Sequence, residues 1–115
     1  MVGRASRFFI TMDTETGGSY KVYHEHVQTT ISNLGAVRDC VMIDVPDSQS
    51  VNVGKAFIVP AKGLGPNNQT KQKILLQIEQ QGILKSYEIP KKIVFLDSIP
   101  RTSVGKINFK SLTHM

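Results

Sequence analysis

The chain has 115 residues, which is enough for one domain with a modest hydrophobic core. Its 14 basic and 9 acidic side chains give a formal net charge of +5, and this balance favours anionic partners such as phosphates, a coenzyme or nucleic acid. The apolar stretches are too short to cross a bilayer, and the N-terminal residues lack the apolar region of a signal peptide. We therefore expect a cytoplasmic protein without a membrane span.

Cysteine and histidine give little support for a nucleophile or a metal site. Cys40 is the single cysteine and cannot form an internal disulfide, which fits a reducing compartment. Because Cys40 begins the apolar run over residues 40–43, we predict a buried, unreactive thiol. His24 and His26 stand near a predicted helix start, but residues two apart on a helix do not share a face. With no third ligand evident, we predict surface histidines and no metal.

Periodicity and turn residues divide the chain into short strands and helices. The predicted elements are an extended or hairpin-like segment over residues 3–12, a loop over 13–19, a strand over 20–23, a helix over 24–34, strands over 38–45 and 53–59, a helix over 70–81, and a strand over 92–96. We expect Thr70 to cap the second helix and Gly82 to end it. A short helical turn completes the chain. This order predicts an α+β domain in which a small three-stranded sheet packs with two to three helices, preceded by a short N-terminal hairpin.

The end of the chain carries the most informative motif. Residues 99–112 read IPRTSVGKINFKSL, so a proline, two hydroxyl side chains and a glycine lead into Lys106, and Lys110 follows. Pro100 and Gly105 indicate a loop, and Gly105 leaves the backbone free enough to bring Lys106 close to a ligand. An ammonium on such a loop suits phosphate oxygens or negative charge that develops in a transition state. By itself, the pattern also fits a solvated turn before a short helix.

The residues upstream of this loop add a longer pattern. Residues 84–100 read LKSYEIPKKIVFLDSIP and join the loop without a gap. Together, the two runs resemble the end of the adenylate-forming superfamily, which includes acyl-CoA synthetases, peptide-synthetase adenylation domains and luciferases. That family closes with Leu…Tyr-x-x-Pro, a hydrophobic strand, and Pro-x-Thr-x-x-Gly-Lys-hydrophobic, and every position is filled here. Further segments similar to the family are Gly3-Arg4, residues 20–23, residues 37–47 and residues 56–59.

Some positions depart from the family's pattern. Ser6 stands at the hinge, where the family usually has Asp or Lys. Residues 11–17 resemble an insertion in the region where relatives line the thiol-acceptor channel. The family's Pro-x-Glu at the helix start is HEH over residues 24–26. The terminal loop that carries Lys106, in contrast, keeps the family's pattern.

The resemblance implies the mobile C-terminal domain of an ATP-dependent, AMP-forming carboxylic acid ligase of the acyl-CoA synthetase type. Residues 1–115 would form a single lid domain, excised at its hinge and inactive alone. A large N-terminal domain, as partner, would bind ATP with Mg²⁺ and the carboxylic acid, and CoA or a carrier-protein thiol would accept the acyl group. Lys106 would be the catalytic lysine that stabilises acyl-adenylate formation, and its acetylation would remove the charge. The remaining site residues implied are Arg4, Thr102 and Gly105 at the substrate or nucleotide and Ser6 at the hinge.

A different class of function is a small basic module that binds nucleic acid through backbone phosphates, or a regulatory domain without catalysis. The net charge of +5 and the lysines at positions 91, 92, 106 and 110 support it. However, the aromatic side chains do not alternate with basic ones on any predicted strand, as they do on base-stacking surfaces. No nucleic-acid-binding motif is present either. We therefore expect no nucleic acid partner.

Overall fold

A computed structural model describes residues 7–13, 16–47 and 52–113. In chain order, the described elements are strands β1 (Phe8–Met12) and β2 (Ser19–Tyr23), helix α1 (His24–Ser32), strands β3 (Val37–Pro46) and β4 (Asn52–Pro60), helix α2 (Asn68–Gln81), a 3₁₀ turn (Ser86–Glu88), strand β5 (Lys92–Phe95) and helix α3 (Phe109–Thr113). Strands β1 and β2 form a hairpin, and the other three strands form one sheet. The predicted α+β fold, with its N-terminal hairpin and three-stranded sheet, is confirmed.

Strand β4 is the middle strand of the three-stranded sheet. It pairs antiparallel with β3 and parallel with β5. The four consecutive residues over 56–59 are all buried. Because neighbouring side chains of a strand point to opposite faces, both faces of the sheet must be covered at this strand. The sheet therefore has two separate hydrophobic clusters, one on each face.

The first cluster joins the sheet to both long helices and to the hairpin. Its fully buried members are Val22, Val27, Ile31, Ala36, Met42, Ala56, Ile58, Ile74 and Ile78. Val27 with Ile31, and Ile74 with Ile78, are spaced four residues apart and so lie on the inward face of each helix. Full burial of each large aliphatic side chain stabilises the fold by about 1.5–3 kcal/mol, so this face contains most of the core.

The second cluster attaches the C-terminal segment to the opposite face of the sheet. Its buried members are Val41, Ile43, Phe57, Val59, Ile99 and Leu112, and Ile107 packs against them. Ile99 and Leu112 lie on either side of the Gly-Lys motif in the sequence. Their burial on one face brings the two ends of that segment together, so the residues between them must form a compact turn.

His24 is buried, so the prediction of a surface histidine is wrong at this position. Its Nε2 lies 2.7 Å from Oδ1 of Asp44, and Nδ2 of Asn52 donates to Oδ2 of the same carboxylate at 2.7 Å. The ring of Phe9 packs edge-on against the imidazole at 5.1 Å. Asp44 of β3 thus pairs with one ring nitrogen, as a buried polar group requires, and Asn52 of β4 holds that carboxylate. The other ring nitrogen, Nδ1, is buried and has no hydrogen-bond partner among the described residues. His26 is exposed, as predicted.

Helix α2 begins earlier than predicted, and Thr70 is not its cap. Asn67 is the N-cap, because its side-chain oxygen accepts a hydrogen bond from the backbone N–H of Thr70 at 3.0 Å. Thr70 is buried in the first turn instead. Gly82 ends the helix in the left-handed conformation with φ 68°, as predicted.

We predict that Asn67→Ala lowers the free energy of unfolding by about 1 kcal/mol, the usual effect of losing an N-cap side chain. The matched control is Asn68→Ala, which removes the same exposed side chain from the first helical position and should change stability by less than about 0.5 kcal/mol. Urea denaturation of the chain and of both variants measures the difference. Equal effects of the two variants would contradict the assignment of the cap.

Candidate active site

Lys106 lies in a tight hairpin over residues 101–107, which we call the lysine hairpin. Its two arms meet in an antiparallel bridge between Arg101 and Ile107. Closer to the tip, the N–H of Gly105 donates to the carbonyl of Thr102 at 2.9 Å, and the N–H of Thr102 donates to the carbonyl of Lys106 at 2.6 Å. This is the hydrogen-bond pattern of a three-residue hairpin loop that ends in a left-handed residue.

Gly105 and Thr102 determine the shape of this loop. Gly105 has φ +85°, a conformation that costs other L-residues about 1–2 kcal/mol. The hydroxyl of Thr102 accepts a hydrogen bond from the backbone N–H of Lys106 at 3.3 Å. The Thr-x-x-Gly-Lys spacing therefore has a structural reason within the hairpin itself. Contacts of Thr102 and Gly105 with a nucleotide stay predictions.

The base of the lysine hairpin is fixed to the rest of the domain. The guanidinium of Arg101 lies 3.1 Å from the carboxylate of Asp39 on β3. The N–H of Asn108 donates to the carbonyl of Pro100 at 2.9 Å, which closes the hairpin below the bridge. The side chain of Asn108 accepts from the N–H of Ser111 at 3.1 Å and so caps α3. The hairpin is thus a short, braced projection.

The tip of the lysine hairpin is exposed. Lys106 is exposed, and its ammonium has no ion pair or side-chain hydrogen bond with any residue in the described part of the chain. Val104, beside it, is 77% exposed. A cation that no carboxylate neutralises is available to an anionic ligand, and a braced hairpin limits where that cation can go.

The sequence did not single out two residues below the hairpin. The guanidinium of Arg7 lies over the ring of Phe109, 4.9 Å from its centre. Together with His24 and Ile107, these residues line a cleft of about 220 Å³. The sequence offered one signal, which is that Phe109 is an aromatic residue three positions after Lys106. It could not indicate the contact, because Arg7 is about a hundred residues away in the chain. Arg4 and Ser6 lie outside the described residues, so their predicted roles stay predictions.

Cys40 is buried in the core, as predicted. Burial raises the pKa of its thiol from 9.0 to about 12, and the nearby charge of Asp39 acts in the same direction. The thiol is therefore neutral near pH 7, whereas the thiolate is the nucleophilic form. The burial of Cys40 and the raised pKa of its thiol both argue against a role as nucleophile or as the site that carries an acyl group.

The described residues, 7–13, 16–47 and 52–113, contain neither a metal-binding cluster nor a membrane-spanning helix. No three His, Cys, Asp or Glu side chains in that part of the chain are grouped so that they could hold a metal ion. Nor does any described helix have the length and apolar character needed to span a bilayer.

The sequence matches a family described as the AMP-binding enzyme C-terminal domain, over residues 26–106. The chain is 32% identical to a feruloyl-CoA synthase of an Amycolatopsis species over 95 residues, which cover 83% of this chain and 18% of that protein. It is 30% identical to 4-hydroxybutyrate–CoA ligase 1 of Metallosphaera sedula over 106 residues, which cover 92% of this chain and 17% of that protein.

A solved structure of an acyl-CoA synthetase from Brucella canis is also similar. It matches with a TM-score of 0.76 and 26% identity, over 96% of this chain and 19% of that chain. The chain thus spans less than a fifth of the length of the relatives that it matches.

We predict that Gly105→Ala lowers the free energy of unfolding by about 1–2 kcal/mol, because alanine resists φ +85°. A Cβ at this position would meet no atom within 4 Å, so the cost is conformational rather than steric. Gly35→Ala is the control, since Gly35 has equally open space and no positive φ. It should be neutral or slightly stabilising. A neutral result for both variants in urea denaturation would disprove the left-handed glycine.

We also predict how stability changes with pH because of Cys40. Its folded pKa is the higher one, so its contribution to stability is complete below pH 9.0 and is lost as the pH rises towards about 12. In that window, the contribution falls by about 1.4 kcal/mol per pH unit. Unfolding free energies at pH 8 to 11 should therefore decline more steeply for the chain than for Cys40→Ala. Parallel curves for the two proteins would show that folding does not raise the pKa of the Cys40 thiol.

Proposed function

Because the chain belongs to the family of AMP-binding enzyme C-terminal domains, we propose that it is the mobile lid of an ATP-dependent, AMP-forming carboxylic acid ligase of the acyl-CoA synthetase type. Lys106 supplies a positive charge while the acyl-adenylate forms. The observation that carries this proposal is the unpaired, exposed ammonium at the tip of a braced hairpin. The family pattern around it, Pro-x-Thr-x-x-Gly-Lys, is complete.

The proposed chemistry needs such a charge in its first step. A carboxylate oxygen of the acid attacks the α-phosphorus of ATP, the bond from that phosphorus to the bridging oxygen breaks, and pyrophosphate leaves. Negative charge is distributed over the phosphoryl oxygens in the transition state, so a cation placed beside the carboxylate and the α-phosphate lowers the barrier. In the second step, a thiol attacks the acyl carbon and AMP leaves. That step does not require Lys106.

The lid cannot complete the ATP site by itself under this proposal. The chain spans less than a fifth of the relatives' length, so ATP, Mg²⁺ and the acid bind mainly to a large N-terminal domain. Ser6 acts at the hinge between the two domains. Arg4, Thr102 and Gly105 contact the substrate or the nucleotide when the lid closes.

The acceptor and the location form part of the same proposal. CoA is the acceptor that these relatives favour, since one is a feruloyl-CoA synthase and the other is a 4-hydroxybutyrate–CoA ligase. A carrier-protein thiol stands as the alternative acceptor. A cytoplasmic location is consistent with a single cysteine, Cys40, that is free and buried.

We predict that Lys106→Ala, made in the full-length ligase that contains these residues, lowers the rate of adenylate formation by about 10²- to 10³-fold. The loss follows from removing transition-state charge stabilisation. Acyl transfer from preformed adenylate to the thiol should stay within about threefold of the parent rate. ATP–pyrophosphate exchange measures the first step, and single-turnover transfer measures the second.

Lys73→Ala is the matched control, because it removes the same charge from an exposed position on α2. It should leave both steps unchanged. Equal losses in both half-reactions for Lys106→Ala would overturn the assigned role. Unchanged adenylation in that variant would overturn the proposed function of the hairpin.

A further inference from the structure

The contact between Arg7 and Phe109 joins two distant parts of the chain. The guanidinium carbon of Arg7 lies 4.9 Å from the centre of the Phe109 ring, which is within the range of a cation–π interaction. Arg7 precedes β1, and Phe109 is the first residue of α3. The contact therefore links the residue between the predicted hinge, Ser6, and β1 to the helix that follows the lysine hairpin.

The Arg7 end of this contact has a fixed backbone. The N–H of His24 donates to the carbonyl of Arg7 at 3.2 Å. His24 is itself buried and bonded to Asp44 of β3 at 2.7 Å. The guanidinium therefore extends from a point that is attached to the body of the domain. A side chain anchored in this way can support whatever it contacts.

The Phe109 end leads directly to Lys106. Phe109 follows Asn108, whose N–H bonds to Pro100 and closes the hairpin base. Ile107, the next residue back, pairs with Arg101 in the bridge. A displacement of Phe109 must therefore be transmitted through two residues whose backbones belong to the hairpin base.

Other contacts hold the same base from a different side. Arg101 with Asp39, and the buried side chain of Leu112, attach it to the three-stranded sheet. Neither of them involves the segment next to the predicted hinge. The contact between Arg7 and Phe109 thus supports the lysine hairpin from the hinge side.

We propose that Phe109, held by the guanidinium of Arg7, is a positioning residue for Lys106. The inference rests on the proposed function of the lysine hairpin. By bracing the hairpin from the hinge side, the contact holds the ammonium where the transition-state charge develops. Placement errors of about 1 Å can cost up to 10²-fold in rate, so a modest surface contact can have a measurable effect on the first half-reaction.

The test uses the full-length ligase with Arg7→Ala, Phe109→Ala and the double variant. We expect each single change to lower kcat for ATP–pyrophosphate exchange by about three- to tenfold, with KM for ATP within twofold, because the contact acts on the transition state. The double variant should lose no more than the larger single loss, since both changes break one contact. Phe109→Trp keeps an aromatic face and should retain the parent rate.

The matched control is Phe8→Ala. Nζ of Lys21 lies 4.9 Å from the centre of the Phe8 ring, and the two aromatic rings are similarly exposed, at 44% for Phe8 and 37% for Phe109. Phe8 therefore has the same kind of contact, but within the β1–β2 hairpin and away from Lys106, and its loss should leave pyrophosphate exchange unchanged. In Phe109→Ala, transfer from preformed adenylate should also be unchanged, which separates positioning from general destabilisation.

The possible failures are distinguishable. If Lys106→Ala abolishes exchange while Phe109→Ala does not change it, only the positioning role is wrong. That role would also be rejected if the double variant lost the product of the two single losses in exchange rate. It would be rejected as well if Phe109→Ala slowed acyl transfer as much as it slows exchange. If Lys106→Ala leaves exchange unchanged, the proposed function itself fails.

Discussion

The rest of the structure depends on burial of both faces of strand β4. Its residues 56–59 are buried without interruption, so one face must pack on the helices and the hairpin, and the other must be covered by the C-terminal segment. A three-stranded sheet with one solvent-exposed face would not need a second packing layer. Because Ile99 and Leu112 provide it, the residues between them form a hairpin at a defined place on the domain. The location of the candidate lysine is therefore a consequence of core packing.

The lysine hairpin combines a rigid base with an exposed charge. Backbone hydrogen bonds, the left-handed Gly105 and the ion pair of Arg101 hold its arms, while Lys106 meets no carboxylate in the described residues. This arrangement suits a group that acts on a site assembled elsewhere. In water, an exposed ammonium interacts weakly with phosphate, but the same pair becomes much stronger when closure excludes solvent. A lid that brings a preorganised charge to bound ATP would use this difference.

The elements whose residues interact locally were predictable. Periodicity identified helices α1 and α2, and Gly82 is predictable as a helix end because the left-handed conformation favours glycine. Two predictions were wrong, the N-cap of α2 and the exposure of His24. In the first, two nearby residues could both cap the helix, and in the second, the hydrogen-bond partner is distant in sequence. Asn67 and Thr70 are both good caps, but Asn67 has the extended backbone of an N-cap and accepts from the N–H of Thr70. His24 is polar, and its type and position favour the surface, but Asp44, which Asn52 holds from the neighbouring strand, pairs with its Nε2 in the interior.

The sequence alone determined the α+β class, the order of most elements and the identity of the exposed lysine motif, because periodicity and the turn residues Gly and Pro act over a few positions. The complete motif also indicated the family before any contact was known. Tertiary structure decided which groups meet across long separations: His24 with Asp44, Arg101 with Asp39, and Arg7 with Phe109. Such contacts depend on how the sheet faces are covered, and chain spacing carries no information about the path that brings the two partners together.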